Sequence, residues 1–195
     1  MKFSNASNIC RLKIVWLELI LVMNMALLTG MPCATSAQPA LNREYQVKAA
    51  FLYNFAHFVE WPAAAFPEPQ SPMVIGILGD DPFGTTLDEL IRNETVNGHP
   101  LIIQRYSKLE EIKSCHILYI SQLQSEQFDA VLEAAKGRSL LTVGDSKDFA
   151  TRGGTVQFIT EKNKVRFRIN LTAAKAASLR ISSKLLKAAE IITPK

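Results

Sequence analysis

The chain has 195 residues, of which 48% are hydrophobic and 21% charged, and its formal net charge at pH 7 is +4. This is enough chain for one domain with a real hydrophobic core. Its basic residues are scattered and form no stripe, which argues against a nucleic-acid-binding protein.

The first residues have the pattern of a secretory signal peptide. Lys2, Arg11 and Lys13 precede an apolar run at 14–28, and small residues follow at 33–37. We therefore predict cleavage after residue 37 and export from the cytoplasm. A retained membrane anchor is the less favoured alternative, because the run is shorter than the ~20 residues that span a bilayer comfortably.

Cleavage after residue 37 would leave residues 38–195 as a single domain with one cysteine. Cys10 and Cys33 would leave with the leader, so Cys115 has no partner for an internal disulfide. It borders an apolar strand, which favours a buried, inert thiol over an intermolecular disulfide. No Cys/His cluster of the kind that binds zinc is present, and no metal is expected.

A long aromatic helix is predicted at 42–60, a stretch without Gly or Pro that ends at Trp61-Pro62. One apolar row recurs at helical spacing: Val47, Phe51, Phe55 and Phe58. A second row lies beside it: Tyr45, Ala49, Leu52, Ala56 and Val59. A helix that is apolar on most of its circumference is expected to be covered on two sides.

The middle of the chain alternates strands with helices. In chain order we predict a strand at 73–79, a helix at 83–92, a strand at 101–106, a helical turn at 108–113, a strand at 116–120, a helix at 124–136 and a strand at 139–143. Strands separated in this way indicate right-handed crossovers and a mainly parallel sheet.

The pattern changes in the C-terminal part of the chain, from residue 154 onward. Segments 154–160 and 164–171 flank a turn and predict an antiparallel hairpin. A helix broken near Ser178 is predicted at 173–192, with an apolar row of Ile181, Leu185, Ala188 and Ile192. The predicted fold is a single three-layer α/β sandwich: a mainly parallel sheet of about six strands with a C-terminal antiparallel hairpin, and helices on both faces.

Motifs for catalysis are lacking. Asp80 and Asp81 end a strand like the acidic pair of a phospho-acceptor domain, but the third strand ends without an acid, so helix capping is favoured. No G-x-G-x-x-G, P-loop or G-x-S-x-G motif is present. His57 has no carboxylate that could orient it as a catalytic base. We therefore expect no enzyme and no cofactor.

Five residues are candidates for binding a ligand or a partner: Asn54, His57, Trp61, Arg168 and Asn170. On the helix, Tyr53, His57 and Trp61 recur at i, i+4 and i+8 and predict a partly exposed stripe, and aromatic residues are favoured at interfaces. On the second hairpin strand, Arg168 and Asn170 lie on the predicted polar face, where they would bind an acidic group or face solvent.

Several segments resemble a known family. They are VKAAFLYNFAHFVEWP at 47–62, IGILGDDPF at 75–83, CHILYIS at 115–121, LLTVGD at 140–145, VRFRINL at 165–171 and SSKLL at 182–186. In this order, and over essentially the whole predicted mature chain, they resemble the YfiR/HmsC-like family of periplasmic proteins.

The resemblance implies a non-enzymatic periplasmic regulator with an α/β sandwich fold. Relatives bind the periplasmic sensor region of an inner-membrane diguanylate cyclase and hold it inactive, which limits cyclic-di-GMP and biofilm formation. The resemblance also implies a homodimer. Several relatives carry internal disulfides, which Cys115 cannot form, so redox control through an intrachain bond does not transfer to this chain.

A second hypothesis is a periplasmic small-molecule-binding sensor. Open α/β sheets bind ligands at the carboxyl ends of their strands. Trp61, Asn54 and Arg168 would line such a groove, and a bound ligand could in turn bias a regulatory function.

Overall fold

The computed structural model describes residues 37–121 and 125–193. From Pro39 onward the described residues belong to one compact unit. The predicted leader lies outside the described residues except for Ala37, so its cleavage stays a prediction. Among the residues described, no helix combines the length and the apolar character needed to cross a membrane.

The described chain contains five α-helices and ten strands. The helices are α1 (Ala37–Phe58), α2 (Thr85–Ile91), α3 (Ser125–Ala135), α4 (Leu171–Ala176) and α5 (Ser183–Ala188). The strands are β1 (Val59–Glu60), β2 (Met73–Leu78), β3 (Thr95–Val96), β4 (His99–Tyr106), β5 (Ile117–Ile120), β6 (Leu141–Gly144), β7 (Val156–Glu161), β8 (Lys164–Asn170), β9 (Arg180–Ile181) and β10 (Glu190–Ile192).

Eight strands form one mixed sheet in the order β10-β8-β7-β6-β5-β2-β4-β3. The five strands from β7 to β4 are parallel to one another. β8 is antiparallel to β7, β10 is parallel to β8, and β3 is antiparallel to β4. The predicted mainly parallel α/β sandwich is confirmed, with eight strands in the main sheet where we expected about six.

Two hydrophobic cores lie on the two faces of the sheet. In β2, Ile75 and Ile77 pack into the core that contains residues of α1 and α2. Val74 and Leu78, the alternate residues, pack into the core that contains residues of α3. Because successive side chains of a strand point to opposite faces, a strand covered on both sides is apolar throughout.

The predicted hairpin is present as β7 and β8. Its turn residues Lys162 and Asn163 have φ angles of 49° and 60°, which suit a tight two-residue hairpin turn. The register places Phe158 opposite Phe167. Both phenylalanines belong to the core on the α1 side of the sheet, so the hairpin extends the surface on which α1 packs.

The helical region predicted at 173–192 is broken near Ser178, as expected, but it is not helical throughout. Ser178 has a φ of 57°, which ends the first helical segment. Ile181 then pairs with Val59, and Ile192 pairs with Asn170, so two members of the expected apolar helical row lie in strands. The same pairing explains why α1 ends at Phe58 and not at residue 60: β1 and β9 form a separate two-stranded antiparallel sheet.

Candidate functional site

The aromatic residues of α1 mostly build the core. Phe55 is fully buried, and its ring lies 5.9 Å from that of Phe158 and 5.4 Å from that of Phe167. Phe51 is partly buried and packs against the same two rings. The dense aromatic stretch therefore exists largely because one helix must fill the space above the hairpin end of the sheet.

The outer face of α1 is mixed in character. We define it by Val47, Asn54, Tyr53 and His57. Val47 is 39% exposed and His57 is also exposed. The ring of Tyr53 lies 4.7 Å from that of His57, and its hydroxyl donates to Glu94 Oε2 at 2.9 Å. Asn54 Nδ2 donates to the carbonyl of Ala50 within the same helix, so its amide is only partly available to a partner.

Trp61 does not continue the predicted stripe along α1. It lies beyond the end of the helix, and its indole Nε1 donates to the carbonyl of His116 at 3.2 Å. His116 immediately precedes β5, so Trp61 lies at the amino edge of the parallel strands. Our second hypothesis placed a ligand groove lined by Trp61 at the carboxyl ends of the strands, which is the opposite edge of the sheet.

The two candidate residues on the hairpin, Arg168 and Asn170, both form hydrogen bonds with neighbouring residues. Arg168 Nε donates to Glu190 Oε2 across the β8–β10 pair at 3.0 Å. Asn170 is only 1% exposed, contrary to its predicted place on a polar face. Its Nδ2 donates to the carbonyl of Ala150, and its Oδ1 accepts from the amide of Ala173 and caps α4. The five predicted site residues thus do not converge on one site.

A loop between β1 and β2 covers the amino edge of the sheet, and we call residues 61–72 the amino-edge loop. Its Phe66 ring is stacked between two imidazoles, 3.8 Å from His99 and 4.4 Å from His116. His99 Nδ1 lies 2.7 Å from the carbonyl oxygen of Ser71, at the end of the same loop. Three stacked rings therefore fasten the loop to β4 and to the residue that precedes β5.

Every polar atom of His116 has a partner. Its amide donates to the carbonyl of Val74, and its carbonyl accepts from the amide of Leu141 and from Trp61. In the ring, Nδ1 accepts from the amide of Val74 at 3.0 Å, and Nε2 lies 3.2 Å from the carbonyl oxygen of Ala65. Burial lowers the pKa of His116, the bond to Ala65 opposes this, and the nearby His99 lowers it further.

A buried ionic cluster lies at the opposite, carboxyl edge of the sheet. Asp145 directly follows β6, and its Oδ2 accepts three hydrogen bonds: from Lys48 Nζ at 2.7 Å, Tyr119 Oη at 2.9 Å and Tyr45 Oη at 3.0 Å. Lys48 is 3% exposed and also pairs with Glu44 at 2.7 Å. We name Tyr45, Lys48, Tyr119 and Asp145 the carboxyl-edge cluster.

The electrostatics of the carboxyl-edge cluster follow from its burial. Burial alone lowers the pKa of Lys48, but its bonds to Asp145 and Glu44 outweigh this, and the pKa is raised. Burial and the charge of Asp145 raise the pKa of Tyr119. Asp145 Oδ1 is buried and has no hydrogen-bond partner among the described residues. Sequence reasoning missed this cluster, although an Asp directly after a buried strand was a usable signal.

Cys115 was the remaining candidate for thiol chemistry. The residue is buried, as predicted, and its Sγ donates to the carbonyl of Ile117 at 3.0 Å. Burial raises the pKa of the thiol to about 12, so it is protonated and unreactive at neutral pH. Within residues 37–121 and 125–193, no three side chains of the His, Cys, Asp or Glu type come together as metal ligands.

The comparisons with known proteins agree with the sequence resemblance. The family described as YfiR/HmsC-like matches residues 45–190, which is well over half of the chain. The match begins in α1 and ends at the first residue of β10, and so includes the other seven strands of the main sheet in full. No curated protein matches the chain.

Proposed function

This chain belongs to the YfiR/HmsC-like family, a family of periplasmic regulators of cyclic-di-GMP signalling, and on that premise we propose that it binds and represses an inner-membrane diguanylate cyclase. The family is regulatory rather than catalytic. The protein would be exported by the leader at 1–37, and it would limit cyclic-di-GMP and biofilm formation without chemistry of its own.

The observation that carries the proposal is the extent of the family match. It spans most of α1, seven of the eight strands of the main sheet in full and both hydrophobic cores, so the fold is the family's domain and not a shared fragment. The inert thiol of Cys115 supports a repressor whose control does not depend on an intrachain disulfide. The homodimer implied by the resemblance stays a prediction.

The outer face of α1 is the surface that we propose for the partner. It combines an exposed aliphatic side chain, Val47, with the Tyr53–His57 ring pair and the exposed imidazole of His57. Interfaces commonly join aromatic anchors with polar groups in this way. The opposite side of α1 is buried in the hydrophobic core and is not accessible to a partner.

A photo-reactive amino acid at position 57 tests this surface. We expect ultraviolet irradiation of intact cells to crosslink the protein to a membrane protein that carries a diguanylate cyclase domain, because His57 would lie in the interface. The measurement is mass spectrometry of the crosslinked product.

The matched control places the same amino acid at position 134. Ala134 is exposed on α3, which covers the other face of the sheet, so this position should give no such product. Equal crosslinking from positions 57 and 134 would contradict the proposed surface. Capture of no membrane signalling protein from either position would contradict the proposed function.

The alternative function, a small-molecule-binding sensor, is favoured by one observation. The unpartnered Asp145 Oδ1 at the carboxyl edge would accept a hydrogen bond from an amino or hydroxyl group of a ligand. However, the Asp145 side chain is only 9% exposed, so a ligand would have to displace its neighbours to reach that oxygen. We therefore place this alternative second.

A further inference from the structure

The amino-edge loop is held closed by a histidine that must be neutral. His116 Nδ1 accepts the amide hydrogen of Val74, so this nitrogen carries no proton in the closed arrangement. The ring proton is therefore on Nε2, where it donates to the carbonyl of Ala65 in the loop. A second proton could bind only at Nδ1, where it would face the N–H of Val74.

The same ring forms the platform for the loop. Phe66 stacks on its face at 4.4 Å, and the ring of Trp61 packs edge-on against it with the centroids 6.2 Å apart. A movement of the imidazole away from Val74 would therefore disturb contacts to Trp61, Ala65 and Phe66 together. Protonation at one atom is thus linked to the closure of the whole loop.

The carbonyl of Ala65 is the neighbour of His116 that favours an imidazolium, and burial of the ring outweighs it. From β4, across the Phe66 ring, His116 faces His99, which is itself titratable and would add a like charge. From β2 and β6 it meets the backbones of Val74 and Leu141. Among the described residues, no carboxylate hydrogen-bonds to either imidazole; Glu68, the acid of the loop, is exposed.

We propose that the amino-edge loop is a pH-sensitive element: protonation of His116 in acid releases residues 61–72 from the sheet and exposes Trp61 and Phe66. A further consequence, which rests on the proposed function, is that acid alters the end of α1 and weakens the complex with the partner. Neutral pH then corresponds to the repressing state and acid to release.

The direction of the pH dependence follows from proton linkage. The closed loop lowers the pKa of His116 below its ordinary value of 6.5, chiefly through burial. The open loop returns the ring to water and therefore binds more protons in the window below 6.5. Closure is accordingly fully favoured above pH 6.5 and is lost progressively as the pH falls towards the lowered pKa.

Trp61 can report the opening directly. The chain has two tryptophans, so the full chain carrying Trp16→Phe has Trp61 as its single indole. We expect its emission to shift to longer wavelength between pH 8 and pH 4.5, with a midpoint below 6.5.

His116→Asn is the decisive variant. Its carboxamide oxygen can accept from the amide of Val74 but cannot take up a proton, so the shift should disappear. An unchanged emission in the Trp16→Phe chain down to pH 4.5, or the same transition in His116→Asn, would overturn the proposal.

Hydrogen exchange covers the case in which His116→Asn does not fold. In the Trp16→Phe chain, we expect the protection factor of the Val74 amide to decrease at pH values below the midpoint of the emission shift. The protection factor of the Ile117 amide in β5 should stay unchanged. Equal protection of Val74 above and below pH 6.5 would overturn the proposal by itself. Fluorescence and hydrogen exchange need no partner and test only the opening of the loop. The crosslinking at position 57 tests the repressor function, so failure of one proposal can be told from failure of the other.

Discussion

Lys48→Met is expected to lower the free energy of unfolding by about 3–5 kcal/mol, because it removes one partner of a buried ion pair. The substitution leaves the Asp145 carboxylate buried with two hydroxyl donors, Tyr45 and Tyr119, and no compensating charge. Met fills a similar volume, so the loss would come from the charge and not from a cavity. Urea unfolding followed by far-ultraviolet circular dichroism measures it.

Lys136→Met is the matched control. Lys136 pairs with Glu133 on the exposed surface, where an ion pair contributes about 0–1 kcal/mol. Adding Asp145→Asn to Lys48→Met should restore much of the stability, since the amide oxygen still accepts from the tyrosines and the unpaired charge is gone. If Lys48→Met destabilised the protein no more than Lys136→Met, the carboxyl-edge cluster would not be the stabilising feature described above.

Phe149→Ala should lower the free energy of unfolding by about 3–5 kcal/mol, the range for a large buried aromatic side chain. Phe149 is fully buried beneath α3, with its ring 5.1 Å from that of Phe128. Two glycines make room for it. A Cβ at Gly154 would lie 2.0 Å from the ring, and a Cβ at Gly144 would lie 2.3 Å from it. The measurement is again urea unfolding.

A double-mutant cycle separates this steric fit from ordinary core burial. Gly154→Ala alone should destabilise the protein by about 1–3 kcal/mol through overpacking. In the Phe149→Ala background its effect should shrink or reverse, because the methyl group enters the vacated space. Effects that add to within about 0.5 kcal/mol would mean that Gly154 and Phe149 are not coupled.

Local pattern was enough to predict the central sheet. The apolar run of β2 and the helix signals after it depend on residues close in sequence, and the structure confirms the α/β sandwich. The prediction for the C-terminal region was partly wrong because its apolar pattern fits both helices and strands. Ile181 and Ile192 fit a helical row, but β9 and β10 form by pairing with Val59 and Asn170, residues far away in the chain.

The candidate site was harder to predict for the same reason. In the sequence, Lys48 is one polar residue in a mostly apolar helix, and its partner Asp145 is 97 residues away. Trp61 is expected in a partly exposed stripe with Tyr53 and His57, but its indole donates to the carbonyl of His116, 55 residues later in the chain. Neither pairing leaves a periodic signal in the sequence; each depends on which strands become neighbours.

The level of intracellular cyclic-di-GMP tests the central claim most directly. It should be measured in cells that lack the chain, and again after complementation with residues 1–195 or with residues 38–195, which lack the predicted leader. The proposed function predicts a rise on deletion that only the full chain reverses. An unchanged level on deletion would contradict repression of a cyclase, and rescue by residues 38–195 would contradict action from the periplasm.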